Sequence, residues 1–205
     1  MTDSPFIHLA VRSSYSLLES MITTKRLTAW LAEQGMPAVA VTDRNNLYGA
    51  LEMSETLSGA GIQPIMACCF DVWDGIPKSV PYRVSLYAQN EVGYARLMEL
   101  SSAAYLESSD GLIVFTGGAE GKAGKLAARG KVDETRTALA ALSEAYPDRC
   151  YVEITRHGGA QEIESEPTLV ELAYELALPL VATHDARFLK AEDAGAHDAL
   201  MCISN

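Results

Sequence analysis

Residues 24–42 read Thr24-Lys25-Arg26-Leu27-Thr28-Ala29-Trp30-Leu31-Ala32-Glu33-Gln34-Gly35-Met36-Pro37-Ala38-Val39-Ala40-Val41-Thr42. Thr24 to Gln34 reads as a helix, Gly35-Met36-Pro37 ends it, and Ala38 to Thr42 is a short apolar run of buried-strand type. The rest of the chain repeats this unit. Phe6 to Val11, Ile62 to Val72, Tyr82 to Ala88, Gly111 to Thr116, Cys150 to Thr155 and Leu178 to Thr183 are expected strands. Leu47 to Leu57, Val92 to Leu106, Ala119 to Arg129, Val132 to Ala145, Glu166 to Leu176 and Ala191 to Ile203 are expected helices, with Pro167 suited to the first turn of its helix. Trp73 to Pro81, with Gly75 and Pro77, reads as a loop or hairpin excursion. Alternation of about seven strands with helices implies an α/β fold with a largely parallel sheet. The pattern fits a barrel and an open doubly wound sheet equally.

The 205 residues suit one sizeable core, and we read them as a single domain. With 48% hydrophobic and 21% charged residues the composition is that of a soluble globular protein. The polar, acidic start Met1-Thr2-Asp3-Ser4-Pro5 does not resemble a secretory signal, and no apolar run reaches the ~20 residues of a membrane span. Cys68, Cys69, Cys150 and Cys202 lack C-x-x-C spacing and are expected to be reduced thiols in a cytoplasm. The net charge of −11 argues against this chain being a principal grip on nucleic-acid phosphates.

In a parallel α/β architecture, chemistry gathers at the carboxyl ends of the strands. Those ends are expected at Arg12-Ser13, Thr42-Asp43-Arg44, Cys68-Cys69, Arg83 and its neighbours, Gly117-Gly118, Arg156-His157 and His184-Asp185-Ala186-Arg187. Ser13-Ser14-Tyr15-Ser16 offers hydroxyls without a partnered base, which is a poor serine-hydrolase pattern. His8 and His197 read as structural residues, His184 as a hydrogen-bonding one, and His157 as either a pocket residue or a strand-end cap.

Three strings carry a resemblance. Phe6-Ile7-His8-Leu9-Ala10-Val11-Arg12-Ser13-Ser14-Tyr15-Ser16-Leu17-Leu18-Glu19 is the first, and Met36 to Gly49 (MPAVAVTDRNNLYG) the second. Gly61 to Phe70 (GIQPIMACCF) is the third, and further matches run through Gly111 to Gly118, Glu153 to Gly158 and Leu178 to Leu189. Together, in this order, they resemble the N-terminal PHP (polymerase and histidinol phosphatase) domain of bacterial DNA polymerase III alpha subunits, the replicative C-family polymerases. The resemblance implies a distorted barrel of about seven mostly parallel strands, TIM-like, forming the N-terminal portion of a much longer polymerase chain. It implies a role in DNA replication, with DNA reached only through the full-length polymerase, a nucleotidyltransferase whose active site lies elsewhere. The partners it implies are the remainder of the alpha chain and the separate proofreading exonuclease subunit, with no membrane.

Intact PHP sites hold divalent metals such as zinc or manganese, and the polymerase region uses magnesium. Here the expected ligand positions depart from the family pattern. Its first-strand H-x-H stands as Ala10-Val11-Arg12, the acid of the next turn as Glu19, and the histidine after Thr42-Asp43 as Arg44. Its third-strand glutamate is Cys69, the next strand's histidine Arg83, the cysteine near the glycine pair Gly118, and the last D-x-H Asp185-Ala186-Arg187. With His157, these residues form a vestigial pocket. Arginine has no lone pair to offer a cation. We therefore expect no catalytic residues, no metal and no cofactor in these residues, and an arginine–carboxylate network joining Arg12, Arg44, Arg83 and Arg187 to Asp43, Asp185, Glu19 and Glu153. The competing readings are an active metal-dependent phosphoesterase or proofreading exonuclease, and an arginine-lined anion pocket.

Overall fold

The structure, a computed structural model, describes residues 6–74, 79–103 and 108–204. The chain forms two compact units, one from residues 1–68 with 184–205 and the other from residues 69–183.

In the first unit, strand β1 (His8–Val11) leads through a turn to helix α1 (Thr24–Glu33) and strand β2 (Ala38–Val41). Helix α2 (Ala50–Gly59) follows, and then the first part of β3 (Gln63–Val72), within which the chain passes into the second unit. β1 pairs in parallel with β2, and β2 with β3 in the register Ala38↔Gln63 to Val41↔Met66. α1 forms because Thr24, Leu27, Thr28 and Leu31 fall on one face, and all four are buried. The unit's core collects Val11, Ile22, Leu27, Leu31, Val39, Met53, Leu57 and Ile62. Full burial of residues of this size contributes roughly 1.5–3 kcal/mol each. The chain's last segment returns to this unit. Val11 bridges in parallel to Ala186, Ala186 N–H donates to the Ala10 carbonyl at 3.0 Å, and Arg12 N–H donates to the Ala186 carbonyl at 2.9 Å. β1 is thus held on one side by β2 and on the other by residues from the far end of the sequence. Helix α7 (Ala194–Ser204) closes the described chain.

In the second unit, β4 (Tyr82–Ala88) leads to α3 (Glu91–Ala103), β5 (Leu112–Phe115), a 3₁₀ turn at 118–120, and α4 (Lys122–Ala127). There follow α5 (Val132–Ala145), β6 (Cys150–Ile154), α6 (Ala160–Glu175) and β7 (Leu180–Ala182). β4 pairs antiparallel with β5, whereas β5–β6 and β6–β7 are parallel. Its core includes Ala123, Ala127, Leu139, Val152, Leu169, Leu172 and Ala173. Seven mostly parallel strands alternating with helices make this the α/β fold expected.

Several boundaries differ from the expectation. The helix expected over Ala119 to Arg129 is split into the 3₁₀ turn and α4, because Gly121 at the junction is extended (φ −71°, ψ 166°). α6 begins at Ala160, well before Glu166, and so Pro167 lies inside the helix. The early start is secured by Glu162, whose carboxylate accepts the Gly159 N–H at 3.1 Å and the His157 N–H at 2.8 Å. Arg83 stands at the amino end of β4, not the carboxyl end. Because β4 runs antiparallel, with Ser85 opposite Phe115, that end lies beside the carboxyl end of β5. Gly117 there adopts φ +81°, and a Cβ on it would sit 1.9 Å from the Arg83 carbonyl oxygen, so only glycine fits. Within the expected excursion at Trp73 to Pro81, residues 75–78 lie outside the described residues, as does the expected end of α3 at 104–106.

Candidate functional site

The candidate site of the first unit is built where β1 ends. Arg12, the first residue past β1, is 3% exposed. Its Nε donates to Asp185 Oδ1 at 2.6 Å and its Nη1 to Glu19 Oε2 at 3.4 Å. Arg187 donates to Asp185 Oδ2 from Nε at 3.1 Å and from Nη2 at 2.7 Å. Arg44 donates from Nη1 to Glu19 Oε1. Three guanidinium groups therefore share two carboxylates, with Arg12 the member that bridges both. Burial alone would raise the Asp185 pKa; the adjacent Arg12 and Arg187 outweigh it and hold the carboxyl down at about 2. Asp185 is thus ionised at neutral pH.

Backbone geometry fixes these groups. Ser20 Oγ lies 2.6 Å from the Arg12 carbonyl and 3.0 Å from the Arg187 carbonyl, and accepts the Ile22 N–H. Met21 N–H donates to the Arg187 carbonyl at 3.1 Å. His197 Nε2 donates to the Glu19 carbonyl at 2.9 Å, so a neutral His197 carries its proton on Nε2. The segment 14–22 is pinned in this way by residues 187–197.

Asp43 has a different role from the one expected. Its carboxylate accepts three hydrogen bonds, from Ser13 N–H at 2.7 Å, Ser13 Oγ–H at 2.6 Å and Ser16 Oγ–H at 2.7 Å. Asp43 therefore lies in a hydroxyl cage and takes no arginine partner among the described residues. The hydroxyls of Ser13 and Ser16 outcompete guanidinium here because the turn after β1 wraps directly over the end of β2. Cys68 Sγ adds contacts to the Asp43 and Asn46 carbonyls at 3.3 and 3.5 Å. Ala10 is buried in β1 and contributes only its backbone.

The remaining sequence candidates belong to the second unit. Cys69 is buried in β3. Gly118 adopts φ +52° in the 3₁₀ turn. Glu153 is buried, accepts a hydrogen bond from Thr183 Oγ1 at 2.5 Å, and donates its backbone N–H to Thr116 Oγ1 at 3.0 Å. His157 acts as a cap: its Nδ1 lies 2.8 Å from Glu162 Oε1, which also accepts from Thr155 Oγ1 at 2.8 Å. Burial pushes the Glu162 pKa up, but the bonds from His157, Thr155 and Gly159 prevail and bring it to about 2. Sequence reasoning missed Ser20, and it read His197 as structural without its partner, the Glu19 carbonyl. The Ser13-x-x-Ser16 spacing after a strand was a readable signal for the cage around Asp43.

The donor set can be tested against a divalent metal. Zinc or manganese needs neutral imidazoles, thiolates or carboxylates with free lone pairs. Among the described residues, no three His, Cys, Asp or Glu side chains are grouped so as to hold a metal ion. In the first unit Asp185 and Glu19 are already engaged by cations, and Asp43 by hydroxyls. The described residues do not fit a metal cluster.

The PHP domain family profile matches residues 8–157. The DNA polymerase III alpha subunit of Caulobacter vibrioides is 42% identical over 98% of this chain, which covers 19% of that protein. That of Pseudomonas aeruginosa is 36% identical over 97% of the chain and 18% of the protein. That of Escherichia coli K12 is 33% identical over 99% of the chain and 19% of the protein. The chain thus spans about a fifth of the length of these curated relatives. Among solved structures, a two-domain protein from Bacteroides vulgatus described as containing a predicted PHP-like metal-dependent phosphoesterase superposes with a TM-score of 0.54 at 12% identity, over 89% of this chain and 52% of that one. That likeness is one of fold.

Proposed function

This chain belongs to the PHP domain family, and on that premise we propose that it is the non-catalytic PHP module of a replicative DNA polymerase, working in the cytoplasm by structure and interaction and not by hydrolysis. Support comes from one observation above all: Arg12 stands between Asp185 and Glu19, engaging carboxylates that a metal cluster would need. Guanidinium supplies positive charge and directional hydrogen bonds, but neither a Lewis acid nor an activated water. It neutralises two partly buried carboxylates whose mutual repulsion would otherwise cost several kcal/mol, in order of magnitude. In this reading the network replaces metal as the cross-link between the end of β1 and the segment after β7. Partners follow from the family: the rest of a polymerase chain, and a separate proofreading exonuclease that relieves this module of hydrolytic work. The net charge of −11 fits a module that leaves the grip on DNA to other regions. No helix among the described residues is long and apolar enough to cross a membrane.

Elemental analysis after dialysis against zinc and manganese, combined with phosphomonoester and phosphodiester hydrolysis assays, tests this reading. The expected result is substoichiometric metal and no turnover above buffer. Two or more tightly held metals, with turnover abolished by Asp185→Asn, would establish an active phosphoesterase instead.

A further inference from the structure

Helix α6 carries two apolar faces. One buries Ser165, Leu169, Leu172 and Ala173 in the second unit. On the opposite side Ile163, Pro167, Val170 and Tyr174 follow one another in steps of four, three and four residues. Ile163 is 67% and Tyr174 76% exposed, Pro167 is also exposed, and Val170 between them is half-buried. This spacing is a heptad seam of the kind that receives a partner helix. Isolated exposed apolar residues are ordinary, but an aligned stripe along a whole helix is not.

The flanks of the seam define its partner. Glu164, Glu166, Glu171 and Glu175 surround it, with no lysine or arginine on the helix. Glu166 pairs with Arg156 and Glu175 with Arg136. Glu164 and Glu171 make no ion pair among the described residues. Pro167 has no N–H to return to the Ile163 carbonyl. A second copy of this chain would set glutamate against glutamate on a molecule of net charge −11.

We propose that the outer face of α6 docks an amphipathic helix of another polypeptide, apolar along its seam and flanked by lysine or arginine. This surface is independent of the Arg12 network, so either proposal can fail without the other.

The test uses the 205-residue chain and two blocked three-heptad peptides with leucine at the seam. One carries lysine at the flanking positions and the other glutamate. Calorimetry should show saturable one-to-one binding of the lysine peptide and none of the glutamate peptide. Ile163→Lys and, separately, Tyr174→Ser should each weaken binding about tenfold or more while circular dichroism and the melting temperature stay unchanged. Equal affinity for wild type and both variants would reduce the effect to non-specific charge attraction and overturn the proposal, as would no binding of the lysine peptide. Concentration-dependent self-association on ultracentrifugation, lost in Ile163→Lys, would assign the seam to a second copy and overturn it too.

Discussion

Arg12 Nε donates to Asp185 Oδ1 across 2.6 Å, although 173 residues separate the two in sequence. This bond joins the end of β1 to the segment that follows β7, and it makes the two residues unequal in what their loss would do.

Replacing Arg12 by alanine leaves Asp185 partly buried with only Arg187, and Glu19 with only Arg44. Removing one partner of a buried pair costs about 3–5 kcal/mol. The Arg44 side chain is 32% exposed, and Arg44→Ala should cost about 1 kcal/mol or less. Urea denaturation compares the two directly. Equal losses would show that Arg12 is not the hub.

Acid should act through Asp185. Its folded pKa of about 2 lies below its ordinary 3.8, so the stabilisation is complete above about pH 4 and is lost as pH falls toward 2. The part due to this residue is roughly 2 kcal/mol. Asp185→Asn should be less stable than wild type at pH 7 and show a flatter decline between pH 4 and 2. An unchanged acid slope in the variant would remove Asp185 from the account.

His8 gives a second, milder window. Burial and the neighbouring His184 lower its pKa from 6.5, so the unfolded chain binds the extra proton and stability falls as pH drops below about 6.5. Its Nδ1 is buried without a hydrogen-bond partner. A leucine there loses no bond, and His8→Leu should match or exceed wild-type stability while flattening the pH dependence between 7 and 5. Thermal melts across that range measure it; a loss of more than about 1 kcal/mol on substitution would contradict it.

Two glycines with similar backbones should respond differently to alanine. Gly130 has φ +71° and open space around its Cβ position, so alanine should cost about 1–2 kcal/mol from conformation alone. Gly117, at φ +81°, would drive its Cβ to 1.9 Å from the Arg83 carbonyl and must displace β4 as well. Gly117→Ala should therefore be clearly the more damaging in parallel chemical denaturation.

What the sequence disclosed followed local physics. β4 at Tyr82–Ala88 and α5 at Val132–Ala145 lie where apolar periodicity put them, because each buries a face against its own unit. The start of α6 was hidden by the weight given to Pro167, when Glu162 reaching back to Gly159 was the stronger local signal. At the site, Arg12, Arg44 and Arg187 pair with Glu19 and Asp185 along the lines that charge balance suggested. Asp43 does not join them, since the choice between serine and arginine depends on how a turn lies over a neighbouring strand. Ser20 meeting Arg187 and His197 meeting Glu19 are contacts 167 and 178 residues apart, and no local pattern announces them.

The first unit is assembled from residues 1–68 and 184–205. During synthesis β1 leaves the ribosome long before Ala186 or Asp185 exists to meet it. Its apolar edge and the buried guanidinium of Arg12 must wait while the intervening unit is made and folds on its own core. Completion of the first unit is therefore a late event in biogenesis. A ribosome stalled before residue 184 would hold a first unit that still lacks the segment that completes it.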